Sequence, residues 1–126
     1  MREERGQITG GAVIYEPIEL WGSIAGKVRV IAGGKLYVRG AIYGDLIVEA
    51  GGRVHVFGRV TGKMIVYQGA KVIHSGILGK DAINKGGRLY VESIAQVGGK
   101  VKHKKGDTVV EPRNKPTLGG DWSAFQ

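Results

Sequence analysis

The chain has 126 residues, 23 of them glycine, and its Lys and Arg outnumber Asp and Glu by 19 to 11, a net charge of +8. That length suits one domain with one modest core. Without cysteine there is no disulfide framework, thiolate metal site or cysteine nucleophile. With only three prolines and no glycine at every third position it is not collagen, and no apolar run approaches the roughly 20 residues of a bilayer span.

The opening segment MREERGQITGG is charged and has no apolar stretch behind it. It reads as a flexible arm or first cap over 1–11, not as a secretory signal, and a soluble, cytoplasmic protein is the expectation. From Ile18 onward an aliphatic residue falls at every sixth position: Ile18, Ile24, Val30, Leu36, Ile42, Val48, Val54, Val60, Val66, Val72 and Leu78. A longer beat of 18 joins Gly33, Gly51 and Gly69, and another joins Gly22, Gly40, Gly58 and Gly76. Around each beat residues alternate, as in Leu36-x-Val38 and Val54-x-Val56, which is the period of a strand. Three six-residue sides make one triangular turn, so the pattern predicts an all-β, single-domain parallel β-helix. Glycines at the corners supply bends and close approach. The beat slips after Gly79. GGRLYV at 86–91 restores the phrase one residue early, 17 after Gly69, and a last phrase, GGKVKH, starts at Gly98. About five turns are expected over 12–103. A tail is expected over 104–126, in which Trp122 and Phe125 could shield the last turn.

The phrases GAIYGDLIV at 40–48, GGRVHVFGRVTGKMIV at 51–66 and GAKV at 69–72 resemble the bactofilins, bacterial polymer-forming cytoskeletal proteins. A weaker resemblance is to the C-terminal β-helix of the MinC division inhibitor, carried by RVHVFGRVTGKM. The bactofilin resemblance implies a right-handed β-helix and a non-enzymatic scaffold that self-associates through its terminal turns. A hexapeptide-repeat acyltransferase fits less well, because Tyr37, Tyr43, Glu49, His55, Thr61, Tyr67 and Ile73 follow the aliphatic beats where such corners want small or acidic residues. His55 is expected on the solvated surface and His74 in the inward slot of Val38 and Val56. His103 completes the set, and the spacing of the three matches no metal motif. No catalytic residue, metal ligand, cofactor or small-molecule substrate is expected.

Interaction surfaces are the remaining candidates. Lys35, Arg53, Lys71 and Arg88 each follow a corner and should stack into a basic stripe, whereas Lys27, Asp45 and Lys63 alternate in sign. Lys100, Lys102, Lys104 and Lys105, with Arg113 and Lys115, outnumber Asp107 and Glu111 and form a basic tail. Stripe and tail would suit an anionic surface, either nucleic acid or the periphery of a membrane. Tyr43, Ile47, Ile65 and Tyr67 are expected to share an exposed apolar patch, with Trp21, Arg39 and Phe57 in a second column. These faces would serve a second copy or a protein partner. Two functions follow: a self-assembling scaffold, or a small binding module steered onto a specific protein by its basic surface.

Overall fold

A computed structural model describes residues 1–112. Arg113, Lys115, Trp122 and Phe125 therefore lie outside the described residues. The strands run in chain order as β1 (Arg2–Glu4), β2 (Gln7–Thr9), β3 (Ala12–Ile14), β4 (Pro17–Leu20), β5 (Ser23–Ala25), β6 (Val28–Val30), β7 (Lys35–Val38), β8 (Ala41–Tyr43) and β9 (Leu46–Val48). They continue as β10 (Arg53–Val56), β11 (Arg59–Val60), β12 (Met64–Val66), β13 (Lys71–His74), β14 (Ile77–Leu78), β15 (Ala82–Val91), β16 (Gln96–Val97) and β17 (Val101–Val110). The pairing is parallel, and up to β14 each strand stacks on the one three before it, the signature of a three-sided β-solenoid. β15 then spans two sides and pairs with both β12 and β13, β16 pairs with β14, and β17 with β15.

The register is the one the sixfold beat demands. Ile18, Leu36, Val54, Val72 and Leu89 are cross-strand partners in succession, as are Ile24, Ile42, Val60, Leu78 and Val97. Most of these side chains are buried, and together they form one continuous core along the axis. Burying each aliphatic side chain contributes about 1.5–3 kcal/mol, so the stack holds itself without disulfides.

Two corners depend on glycine for different reasons. At the first, Gly34, Gly52 and Ala70 donate their N–H to the carbonyls of Ile31, Glu49 and Tyr67, closing tight turns. Gly33, Gly51 and Gly69 sit at the third position of those turns with φ of 86, 81 and 84°. That is a type II turn, which needs positive φ there. At the second corner the backbones touch. A methyl on Gly40 would lie 1.9 Å from the Gly22 carbonyl oxygen.

Several expectations need correction. The described residues make about six turns, not five, because residues 2–9 and 104–110 belong to the solenoid. Residues 2–4 and 7–9 are paired strands of a first turn that is 16 residues long rather than an arm. Residues 104–110 are not tail. β17 pairs with β15 out to Val110, and Glu111 N–H still donates to the Val91 carbonyl. The phrase at Gly98 is also not the next repeat of GGRLYV. Gly98 and Gly99 cover the corner at Gly79 and Lys80, while KGDTVV at 105–110 covers GGRLYV.

The slip itself falls between Val66 and Lys71 on one turn and Asn84 and Arg88 on the next, where the corner is one residue shorter. Asn84 replaces the inward valine and is fully buried. Its Oδ1 accepts from the Gly86 and Gly87 N–H groups, and its Nδ2 donates to Gly87 O, Asp107 O and Thr108 Oγ1. The side chain thus supplies the hydrogen bonds that the shortened turn no longer makes with itself.

Candidate interaction surface

The face built from β4, β7, β10, β13, the second half of β15 and the end of β17 presents three outward columns. The first is the expected basic stripe: Lys35, Arg53, Lys71 and Arg88 are cross-strand partners in one line, with Pro17 below and Asp107 above. Neighbouring rungs lie about 4.8 Å apart. All four cations are exposed, and among the described residues none of them makes an ion pair. The corresponding line on another edge behaves oppositely. There Lys27, Asp45, Lys63, Asp81 and Lys100 alternate. Asp45 Oδ1 accepts from Lys63 N–H at 2.9 Å and Asp81 Oδ1 from Lys100 N–H at 2.8 Å. The Lys100 bond, with Lys102 Nζ at 3.1 Å from the other oxygen, holds the Asp81 carboxyl below its ordinary range.

The second column runs Glu19, Tyr37, His55, Ile73, Tyr90 and Val109. His55 is not the solvated residue expected. Its ring stacks on Phe57 with centroids 3.8 Å apart, and Tyr37 lies 6.3 Å away. Its Nε2 lies 2.9 Å from Ser75 Oγ, which donates to Glu92, and burial pushes the imidazole below its ordinary pKa. The Ser75 proton being committed to Glu92, the His55 Nε2–H is the donor to Ser75. A nucleophile triad runs the other way, with the carboxylate on the imidazole and the imidazole accepting from the serine.

The third column stacks Arg5, Trp21, Arg39, Phe57, Ser75 and Glu92. Trp21 lies between two guanidinium groups, each 5.2 Å from its ring, and Arg39 is 4.5 Å from the Phe57 ring. Arg39 Nε donates to Glu19 at 2.6 Å, and this bond, with a second from Trp21 Nε1, holds the Glu19 carboxyl below its ordinary range. Glu111 is likewise lowered by hydrogen bonds from Tyr90 and the Ser93 N–H. Three of this face's carboxylates, Glu19, Glu92 and Glu111, are thus engaged within the face itself.

Other expected surfaces came apart. Ile47 and Ile65 share a column with Arg29 and Ile83, but Ile65 is buried, and the Arg29–Glu49 ion pair at 2.6 Å interrupts the apolar run. Lys85 covers the Tyr67 ring at 5.7 Å. Tyr43 ends β8 in the six-stranded sheet, a different face, so the four residues make no single patch. The basic tail divides too. Lys100 joins the alternating column, Lys102 pairs with Asp81, Lys105 stands opposite Lys85, and Lys104 is exposed on β17.

The three histidines do not converge. His74 is wholly buried, with Nε2–H donating to Gln96 O at 3.0 Å, Nδ1 unpartnered, and burial lowering its pKa. His103 is exposed and bonded to Thr108. No group of side chains suited to holding a metal occurs among the described residues.

Sequence reasoning missed the open N-terminal end. There a cavity of about 240 Å3 is lined by Ile8, Ala12, Ile14, Ile18, Leu20 and Ile24 and rimmed by Arg2, Glu4 and Glu16. β1, β2 and β3 are the outermost strands of their sheets, so each has one unpaired edge. The signal was present in Ile8 and Ile14, which continue the aliphatic beat below Ile18 at intervals of six and four. No family model, curated protein or solved structure matches this chain.

Proposed function

We propose that this chain is a non-enzymatic, self-assembling structural protein of the bactofilin-like kind, whose first turn docks on the end of a second copy. The observation carrying this reading is the open first turn: three outermost strands around an apolar mouth. Unpaired strand edges are templates for another chain. These three belong to three different sides of a triangle, so the surface that pairs with all of them at once is the end of another such solenoid. The apolar lining of Ile8, Ala12 and Ile14 would be covered by the same contact.

Glu4 tunes that contact. It is the cross-strand partner of the fully buried Leu20 and lines the mouth, so it is a carboxylate at the open end of a column that continues through the apolar Leu20, Val38 and Val56. Inward-pointing charge weakens edge-to-edge association without abolishing it. Light scattering after size exclusion, followed by negative-stain microscopy, tests the reading on the full chain. Multimers or filaments are expected, Glu4→Leu should enlarge them, and Ile8→Asp should shift the protein to monomer. A monodisperse monomer at high concentration, in both wild type and Glu4→Leu, would overturn it.

A second reading, a binding module docking on an acidic partner, draws on the unpaired cations of the basic stripe. Such a stripe raises association rates more than it raises affinity.

A further inference from the structure

We infer that the face bearing Lys35, Arg53, Lys71 and Arg88 is a binding track for single-stranded nucleic acid. The inference stands independently of self-assembly. Its first support is the unneutralised charge. Four like charges in consecutive rungs repel, and their spacing of about 4.8 Å is inside a Debye length of about 8 Å. The fold can avoid this by interspersing carboxylates, as in the line Lys27, Asp45, Lys63, Asp81, Lys100, where Asp45 and Asp81 are held in place by the backbone N–H groups of Lys63 and Lys100. On the basic stripe the cations stay unpaired, although carboxylates stand nearby on the same face. Glu19, Glu92 and Glu111 are engaged instead by Arg39, Trp21, Ser75, Tyr90 and the Ser93 N–H, and Asp107, on the rung beyond Arg88, makes no ion pair with the stripe among the described residues.

The second support is what flanks the stripe. On one side the glycine corners at Gly51, Gly69, Gly86 and Gly87 leave a trough of about 350 Å3 beside Arg53, Lys71 and Arg88, with Asp107 at its far end, open to a chain that must come close to the cations. On the other side, two depressions of about 200 and 190 Å3 are floored by Tyr37, His55, Ile73 and Tyr90. Charge and ring are adjacent, with Lys35 Nζ 5.4 Å from the Tyr37 ring. Phosphates on the cations and bases on the rings is the arrangement by which single strands are held without sequence readout. A duplex keeps its bases stacked inside and has no use for the rings. The stripe spans three intervals, about 14 Å. At a repeat of about 3.4 Å or more per nucleotide, that takes roughly three to five phosphates.

Fluorescence anisotropy of the full chain with a short labelled oligothymidylate tests this. Competing arms are the corresponding duplex, inorganic polyphosphate and phosphatidylglycerol vesicles. The single strand should bind best. Its log–log salt slope should be close to −3, since four neutralised phosphates contribute about −0.7 each. Arg53→Glu with Lys71→Glu should weaken binding at least about tenfold and flatten the slope by one or more. Tyr37→Ala with Tyr90→Ala should weaken the oligonucleotide about fivefold or more and leave polyphosphate unchanged, because only bases stack. Several results would overturn the inference. These are no binding at low salt, equal or tighter binding of duplex or polyphosphate, vesicle binding in place of oligonucleotide binding, or indifference to loss of the tyrosines. If a variant fails to fold, the four wild-type arms still decide.

Discussion

Two stretches of the same solenoid solve the same problem differently. Over residues 28–78 each turn takes 18 residues, valine or another aliphatic fills the inward slots with one exception at His74, and glycine makes the corners. Over 79–112 the turns take 17 or 19 residues, and Asn84 occupies an inward slot. The regular stretch is held by burial, and its corners make their own hydrogen bonds. The irregular stretch has a shortened corner that cannot, so a buried amide makes five bonds in its place. A one-residue change in corner length therefore converts a hydrophobic requirement into a polar one.

The largest expected effect tests the regular stretch. Val38→Asp places a carboxylate with no partner between the buried Leu20 and Val56 and should cost about 3–5 kcal/mol. Loss of the cooperative circular-dichroism melt is the expected result, and a wild-type melt would mean that the inward column is misassigned. Next comes the irregular corner. Asn84→Val restores the residue type of Val48 and Val66 but leaves the Gly86 and Gly87 N–H groups without their acceptor. It should cost about 2–4 kcal/mol, measurable by chemical denaturation. The reciprocal Val66→Asn should also destabilise, because the longer corner has no groups waiting for an amide. If either swap were neutral, corner length and slot chemistry would not be coupled.

A smaller effect concerns His74, the imidazole inside the regular wall. Burial lowers its pKa in the folded state, so the unfolded chain binds its proton first as pH falls. Stability should therefore be lost as pH drops below about 6.5, continuing down to the lowered folded value. Burial lowers His55 in the same direction. The carboxyls of Glu19, Asp81 and Glu111, all lowered, give up their contributions only further down, through the carboxylate range. Melts at pH 7.5 and 5.5 should show a lower Tm at the acidic value, and His74→Val should narrow the difference.

The smallest effect sharpens the contrast between the two charged lines. Asp45→Lys makes the alternating line uniformly basic from Lys27 to Lys63 and removes the bond to the Lys63 N–H, for a loss of about 1 kcal/mol that grows at low salt. Arg53→Glu, by making the basic stripe alternate, should stabilise slightly, by no more than about 1 kcal/mol. Thermal melts across a salt series measure both.

Much of the surface was legible because a solenoid maps spacing directly onto space. The stacking of Lys35, Arg53, Lys71 and Arg88, and of Trp21, Arg39 and Phe57, follows from intervals of 17 or 18 alone. What failed was exposure. Nothing in the spacing of Ile65 says that its neighbours will cover it, and nothing in VHV says that His55 will lie flat on Phe57 and reach Ser75. Lateral contacts depend on side-chain direction across rungs, which periodicity does not carry.

By itself the sequence determined the parallel, three-sided solenoid, because aliphatic residues at every sixth position, with a glycine period of 18, share one axis when three six-residue sides make each turn. It also determined which residues would stack. Tertiary structure decided that residues 2–4 and 104–110 join the solenoid, since strands such as REE and VKHKKGDTVV carry no apolar beat and become strands only by pairing with a neighbour already in place. It decided as well how the carboxylates beside the basic stripe are used, since Glu19, Glu92 and Glu111 reach Arg39, Trp21, Ser75, Tyr90 and the Ser93 N–H only once the rungs are stacked.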